Sequence, residues 1–229
     1  MSRLHMRRYF AEFIGTFVIV FAPVALSATG KLPGADSGLM AAAWVSGLAV
    51  TAMIYAFGPI SAAHFNPAVT MALALAKRFP KNQIAPYITC QALGGIAAAA
   101  TVAALFGSGY GAHRPAGSPL QAVVVEAILT FILMIVIMAA ATDKRTNSAV
   151  PGLAIGLTVV LDVFIGGAVS GGSMNPARSL GPALVAGGSA LANYWVYLVG
   201  PVMGALFAAL AYELLRDGNE FATSAPGSW

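Results

Sequence analysis

Apolar stretches broken by short polar segments run the length of the chain, at about 9–28, 39–57, 84–106, 120–141, 150–168 and 191–215. Each is close to the roughly 20 residues a helix needs to cross hydrocarbon. The pattern predicts an all-α chain with six transmembrane helices. Two further apolar runs, 67–76 and 176–185, are too short to cross. About ten residues of helix span roughly 15 Å, half of a hydrocarbon core of about 30 Å.

Composition agrees with this reading. Hydrophobic residues make up 59% of the 229 and charged residues 9%, with a mean hydropathy of +0.80. Soluble domains carry about 25% charged residues, so this chain cannot cover a normal water-facing surface, and a soluble enzyme is excluded. The single cysteine, Cys90, rules out an internal disulfide. A net charge of +4 fits lipid headgroups better than nucleic acid. The first apolar stretch carries Glu12 and is longer than a signal-peptide core, so it is read as a span.

Basic residues set the expected orientation. Arg3, Arg7, Arg8, Lys77, Arg78, Lys81, Lys144, Arg145 and Arg216 fall on one side of the six spans, and only Lys31 and Arg114 on the other. Both termini are therefore expected in the cytoplasm, with a frayed polar tail over 217–229.

The chain also repeats itself. Ser61-Ala-Ala-His-Phe-Asn-Pro-Ala-Val69 is matched by Ser170-Gly-Gly-Ser-Met-Asn-Pro-Ala-Arg178. Gly47-Leu48 is matched by Gly156-Leu157, Tyr87 and Gly94 by Tyr197 and Gly204, and Glu12, Thr16 and Phe17 by Glu126, Thr130 and Phe131. The repeats, about 8–108 and 119–216, form one expected domain over 1–229. Three spans per repeat is an odd number, so the second copy enters from the opposite side. Such inverted repeats place a shared site near the bilayer midplane.

The short runs each begin at Asn-Pro-Ala. Asn is a favoured N-cap and Pro a favoured first helical residue. Half-helices are thus expected to start at Asn66-Pro67-Ala68 and Asn175-Pro176-Ala177 and to meet N-terminus to N-terminus. The stretches before them, 61–65 and 170–174, must be non-helical at membrane depth, which is tolerated only when buried in protein or lining a water-filled cavity. Their carbonyls, from Ala62, Ala63, His64, Phe65, Gly171 and Ser173, are expected to face that cavity. Two helix N-termini create a positive potential that repels cations, and the Asn66 and Asn175 amides offer donors to a passing oxygen. Arg178 lies one turn into the second half-helix, where a charge marks a functional site. The residues read as a pore for neutral, oxygen-bearing solutes.

These paired motifs, with the glutamates of spans one and four, resemble the major intrinsic protein family, the aquaporins and aquaglyceroporins. The resemblance covers nearly the whole chain. It implies six spans plus two half-helices, a pore within each subunit, a homotetramer, proton exclusion of the kind general to aquaporin-type pores, and Glu12 and Glu126 as supports for the two loops. It further implies a constriction formed by Arg178, Gly172, Val163 and Ser46. Water-selective members resemble one another in having phenylalanine at the span-two position and histidine in span five. Here both rings are replaced by small residues. The set looks most like the wide-pore plant nodulin-type proteins and similar bacterial channels, which pass glycerol, urea, and metalloid hydroxides such as boric and arsenous acid. Trp44 stands two residues from Ser46, and a shifted register would restore a ring.

Other residues are read more plainly. Asp162, where the first repeat has Met53, is read as a hydrogen-bond acceptor for a loop or neighbouring helix. His5 and His113 read as solvated terminal and loop residues, Cys90 as a small buried apolar residue, and Gly94, Gly95 and Gly204 as close helix crossings. No metal site, cofactor or nucleic-acid contact is expected; the partners are membrane lipid, small neutral solutes and further copies of the chain. The expected setting is a plasma (inner) membrane. The alternatives are a water-selective aquaporin and, from a different class, an ion-coupled secondary transporter.

Overall fold

The computed structural model describes residues 3–32, 38–143, 146–147 and 149–216. Lys144 and Arg145, used above for orientation, and the tail over 217–229 lie outside the described residues. Nine α-helices follow one another, with no strand among the described residues: α1 (Arg3–Thr29), α2 (Leu39–Ser61), α3 (Pro67–Leu75), α4 (Ile84–Phe106), α5 (Pro119–Thr142), α6 (Pro151–Gly166), α7 (Pro176–Ala186), α8 (Gly188–Ala192) and α9 (Tyr194–Leu215).

Five helical segments are long and apolar enough to cross a membrane, and α6, with 16 residues, is shorter. The fifth apolar run, 150–168, therefore forms less helix than its length predicts. Gly166 and Gly167 end it, and residues 167–170 continue as turn. The chain is then free to fold back into the protein as non-helical backbone.

Helices α1, α2 and α4 pack together, as do α5, α6 and α9, and α2 against α6 joins the two groups. The half-helices are exchanged between the groups: α3 packs on α9 and α7 on α4. Small residues allow this. A Cβ on Gly95 would run into the Ala177 carbonyl, and one on Gly181 into the Gly95 carbonyl. Gly94 lies against the Phe13 carbonyl and Gly204 against that of Ala127, so the predicted close crossings are present.

Many large apolar residues, including Phe10, Met40, Leu48, Leu105, Leu120 and Phe207, are exposed on the outside. A water-soluble monomer rarely shows so much apolar surface, and here it is the face presented to lipid. Cys90 is half-buried rather than buried. It lies one turn before Gly94, toward the edge of the packed face of α4.

Candidate functional site

Asn66 and Asn175 cap α3 and α7 as their residue types predict. The Asn66 side-chain oxygen accepts from the Ala68 N–H at 2.9 Å. That of Asn175 accepts from Ala177 at 3.0 Å and Arg178 at 3.2 Å. Proline follows in each case, where its missing N–H costs nothing.

The amide nitrogens reach across to the opposite motif. Asn66 Nδ2 donates to the Met174 carbonyl at 2.8 Å, and Asn175 Nδ2 to the Phe65 carbonyl at 2.9 Å. The two half-helices are thereby clasped N-terminus to N-terminus. Each amide has two hydrogens. One is committed to the clasp, so each Asn keeps one donor rather than two for a solute, and the Phe65 carbonyl already carries a bond.

A buried glutamate supports each loop. Glu12 accepts from the Ser61 hydroxyl (2.7 Å), His64 N–H (3.0 Å), Phe65 N–H (2.7 Å) and Gln91 Nε2 (2.8 Å). Glu126 accepts from the Ser170 hydroxyl (2.7 Å), Ser173 N–H (2.9 Å) and Met174 N–H (2.7 Å). Tyr87 donates to the Ser61 carbonyl at 2.9 Å and Tyr197 to that of Ser170 at 2.6 Å. Backbone donors that would be orphaned at membrane depth thus find partners.

One cavity of about 980 Å³ runs beside both motifs. Ser46, Val163, Gly172 and Arg178 all line it, as do Ala62, Ala63, His64, Phe65, Ser173 and both motif asparagines. Gly171 does not. Its φ of +98° turns it behind the wall, against the His113 ring. Trp44 is 45% exposed on the outer face and is not on the cavity wall, so the register puts Ser46 there instead. Gly172 packs against Val163, where a Cβ would meet the Val163 Cα at 3.2 Å.

The wall is mixed. Its lining includes the asparagines, loop residues and Arg178 as well as the apolar Val50 and Ile54 of α2 and Ile155 and Val159 of α6. Arg178 spends one donor on the Gly111 carbonyl at 3.3 Å. Its other guanidinium N–H groups have no hydrogen-bond partner among the described residues. At the end of the cavity that carries Arg8 and Lys77, Arg78 is tied to Glu213 at 2.9 Å and to both the carbonyl and hydroxyl of Thr142.

Two expectations are corrected. Asp162 is fully buried and points away from the cavity, but neither carboxylate oxygen has a hydrogen-bond partner. It is not the acceptor for a loop or helix that the sequence implied, because no donor on the neighbouring elements reaches it. His113 is buried, not solvated. Its Nδ1 lies 2.8 Å from the Ser179 hydroxyl and its ring 5.3 Å from that of Tyr197. His5, the other histidine read as solvated, is half-buried beside Tyr9. Sequence gave no periodic signal for His113, because the loop that carries it has no regular structure.

The family model described as Major intrinsic protein matches residues 1–212. Aquaporin NIP1-1 of Oryza sativa subsp. japonica is 44% identical over 221 residues, covering 94% of this chain and 76% of the relative. Aquaporin NIP3-1 of Arabidopsis thaliana is 45% identical over 222 residues, covering 93% and 68%. The X-ray structure of the aquaglyceroporin from Plasmodium falciparum superposes with a TM-score of 0.82 at 25% identity, over 92% of this chain and 96% of that one. Sequence and fold agree over the same span as the clasped motifs, and the chain belongs to the major intrinsic protein family, as a multi-pass membrane channel for small neutral solutes and not an enzyme.

Proposed function

We propose that this channel has a wide constriction and conducts glycerol-sized polyols and undissociated metalloid hydroxides as well as water. The observation that carries the reading is that Ser46, Val163 and Gly172 line the same cavity as Arg178, with Gly172 packed against Val163. None of the three brings a ring into the pore. A tri-hydroxyl solute needs that clearance. It also needs acceptors, which the loop carbonyls offer, and donors, which Arg178 offers in a planar fork. Apolar side chains in the same lining suit its carbon or metalloid face. The similarity to aquaporins of the NIP type and to an aquaglyceroporin is in keeping with this range.

Protons and ions are excluded in this reading, because α3 and α7 turn their N-termini toward one point. Glu12 and Glu126 hold the loops and do not carry protons. The single channel domain forms a homotetramer in a plasma (inner) membrane, with both termini cytoplasmic, as the distribution of basic residues supports.

The test is permeability in proteoliposomes, with uptake of labelled arsenite into expressing cells beside it. Glycerol and arsenite should pass. Ser46→Phe with Val163→His should lower both severalfold while water flux falls less. Water flux without glycerol flux in the unmodified protein would favour a water-selective channel. A current carried by sodium or protons would favour coupled transport.

A further inference from the structure

Behind the second motif, two hydroxyls and an imidazole form a chain. Ser173 Oγ donates to the Asn175 carbonyl at 3.0 Å, which uses its only hydrogen. Ser179 Oγ, 2.5 Å from Ser173 Oγ, must then be the donor between them. Its own hydrogen is now spent, so it accepts from His113 Nδ1 at 2.8 Å. The chain has one direction: His113 to Ser179 to Ser173 to the Asn175 carbonyl. That order assigns the hydrogen to Nδ1 of the neutral ring.

In the first half, Thr70 holds the place of Ser179, four residues after the motif asparagine. It donates to the Asn66 carbonyl at 3.0 Å, accepts from Gln91 Nε2 at 3.0 Å, and lies 3.1 Å from Nδ1 of His64, which stands where the second half has Ser173. The second-half counterpart of Gln91 is Pro201, which has no side-chain donor. The missing donor comes from the 107–118 loop. That loop is seated by Gly111 N–H on the Ser27 hydroxyl (3.3 Å) and Ala116 N–H on the Val169 carbonyl (2.9 Å). The same loop supplies the Gly111 carbonyl to Arg178.

We infer that His113 is a positioning residue for the pore: its Nδ1–H latches the 107–118 loop to Ser179, and the latched loop sets the Arg178 guanidinium and the Gly172 backbone at the constriction. The inference rests on the constriction proposed above. The charged and titratable groups around the ring are Arg178 of α7, Tyr197 of α9, Glu126 of α5 behind the 170–174 loop, and the exposed Arg114 beside it. Burial first, and Arg178 second, hold the imidazole well below its usual range. The latch therefore stays neutral where a free histidine titrates, and flux should be flat through that range.

The experiment measures glycerol and water permeability of the full chain in proteoliposomes at matched protein content. His113→Phe keeps the ring and removes the donor. Glycerol flux should fall about fivefold, the worth of one net hydrogen bond, with water falling less. His113→Asn, whose amide places an N–H near Nδ1, should restore most of it. Ser179→Ala, a change small enough to spare folding, should match His113→Phe, and the double variant should be no worse than either. Equal proportional loss of both fluxes, no rescue by Asn, or a double variant whose loss is the product of the single losses would overturn the latch. If the unmodified protein passes no glycerol, the wide-pore reading fails, and the latch is then judged on water flux through the same cycle.

Discussion

The two loops that lead into the motifs, 61–66 and 170–175, trace the same path by different means. At matching positions the first uses Ala62 (φ +66°) and Ala63 (φ +49°), and the second Gly171 (φ +98°) and Gly172 (φ +63°). Left-handed backbone costs a side-chain-bearing residue roughly 1–2 kcal/mol. The first loop offsets this with four donors on Glu12, where Glu126 takes three. The difference teaches that one half is held by its glutamate network, while the other is held by backbone permissiveness and a loop pressed on it from outside.

The largest effect should come from the glutamates. In Glu12 both oxygens accept two bonds, so the NH2 of Glu12→Gln faces two donors whichever way the amide turns. In Glu126 one oxygen accepts only from Met174, and a flipped amide meets a single donor. Glu12→Gln should cost about 3 kcal/mol or more, and Glu126→Gln about 1–2 kcal/mol less than that. Thermal unfolding in detergent ranks them, and equal losses would dissolve the distinction between the halves.

Exchanging the loop residues sharpens it. Gly171→Ala would put a Cβ 2.5 Å from His113 Cδ2 at an unfavourable φ, costing about 1–3 kcal/mol. Ala62→Gly should be neutral or stabilise by up to about 1 kcal/mol. Melting midpoints that move the same way in both would refute the comparison.

Acid should find the second half. The His113 imidazole is held below its ordinary value in the folded protein, so the neutral ring is favoured there. Stability is full above pH 6.5 and falls as pH drops below it, because the unfolded chain takes up a proton the folded one resists. The slope is at most about 1.4 kcal/mol per pH unit. Gln91, its first-half counterpart, does not titrate, but the buried His64 lies 3.1 Å from the same Thr70 hydroxyl, so the His113 contribution is isolated only by substituting His113. Melting midpoints of the unmodified protein and His113→Asn should therefore diverge below pH 6.5, and parallel curves would count against a buried neutral His113.

The smallest effect is expected at Asp162. With no partner on either oxygen among the described residues, Asp162→Asn keeps the shape of the side chain and breaks no bond. Stability, read from the melting midpoint, should be unchanged or raised by less than about 0.5 kcal/mol. A clear loss would show that the carboxylate holds a group outside the protein atoms.

Much of this could be read from residue types. Asn and Pro have strong end-of-helix preferences, and the half-helices expected over 67–76 and 176–185 run Pro67–Leu75 and Pro176–Ala186. The family resemblance, aligned on the motifs, pointed to Ser46, Val163, Gly172 and Arg178, and all four line one cavity. What was not legible depends on tertiary position without periodicity. His113 lies in a loop whose descent onto Ser179 leaves no local trace. Asp162 follows from the facing of α6, which tells that it avoids the pore but not that every donor misses it. Cys90 is apolar enough for a core, yet it stands at the edge of the packed face of α4 and is only half-buried.

The reciprocal clasp has a consequence for the order in which the channel is made. Asn66 and Met174 are 108 positions apart, and Phe65 and Asn175 are 110. At ribosomal rates of about 5–20 residues per second, the first motif waits on the order of 5–20 s for its partner to be synthesised. Throughout that interval the Phe65 carbonyl and the Asn66 amide lack their native partners at bilayer depth. The early half of the nascent chain is thus a provisional structure until the second motif is made and the clasp closes.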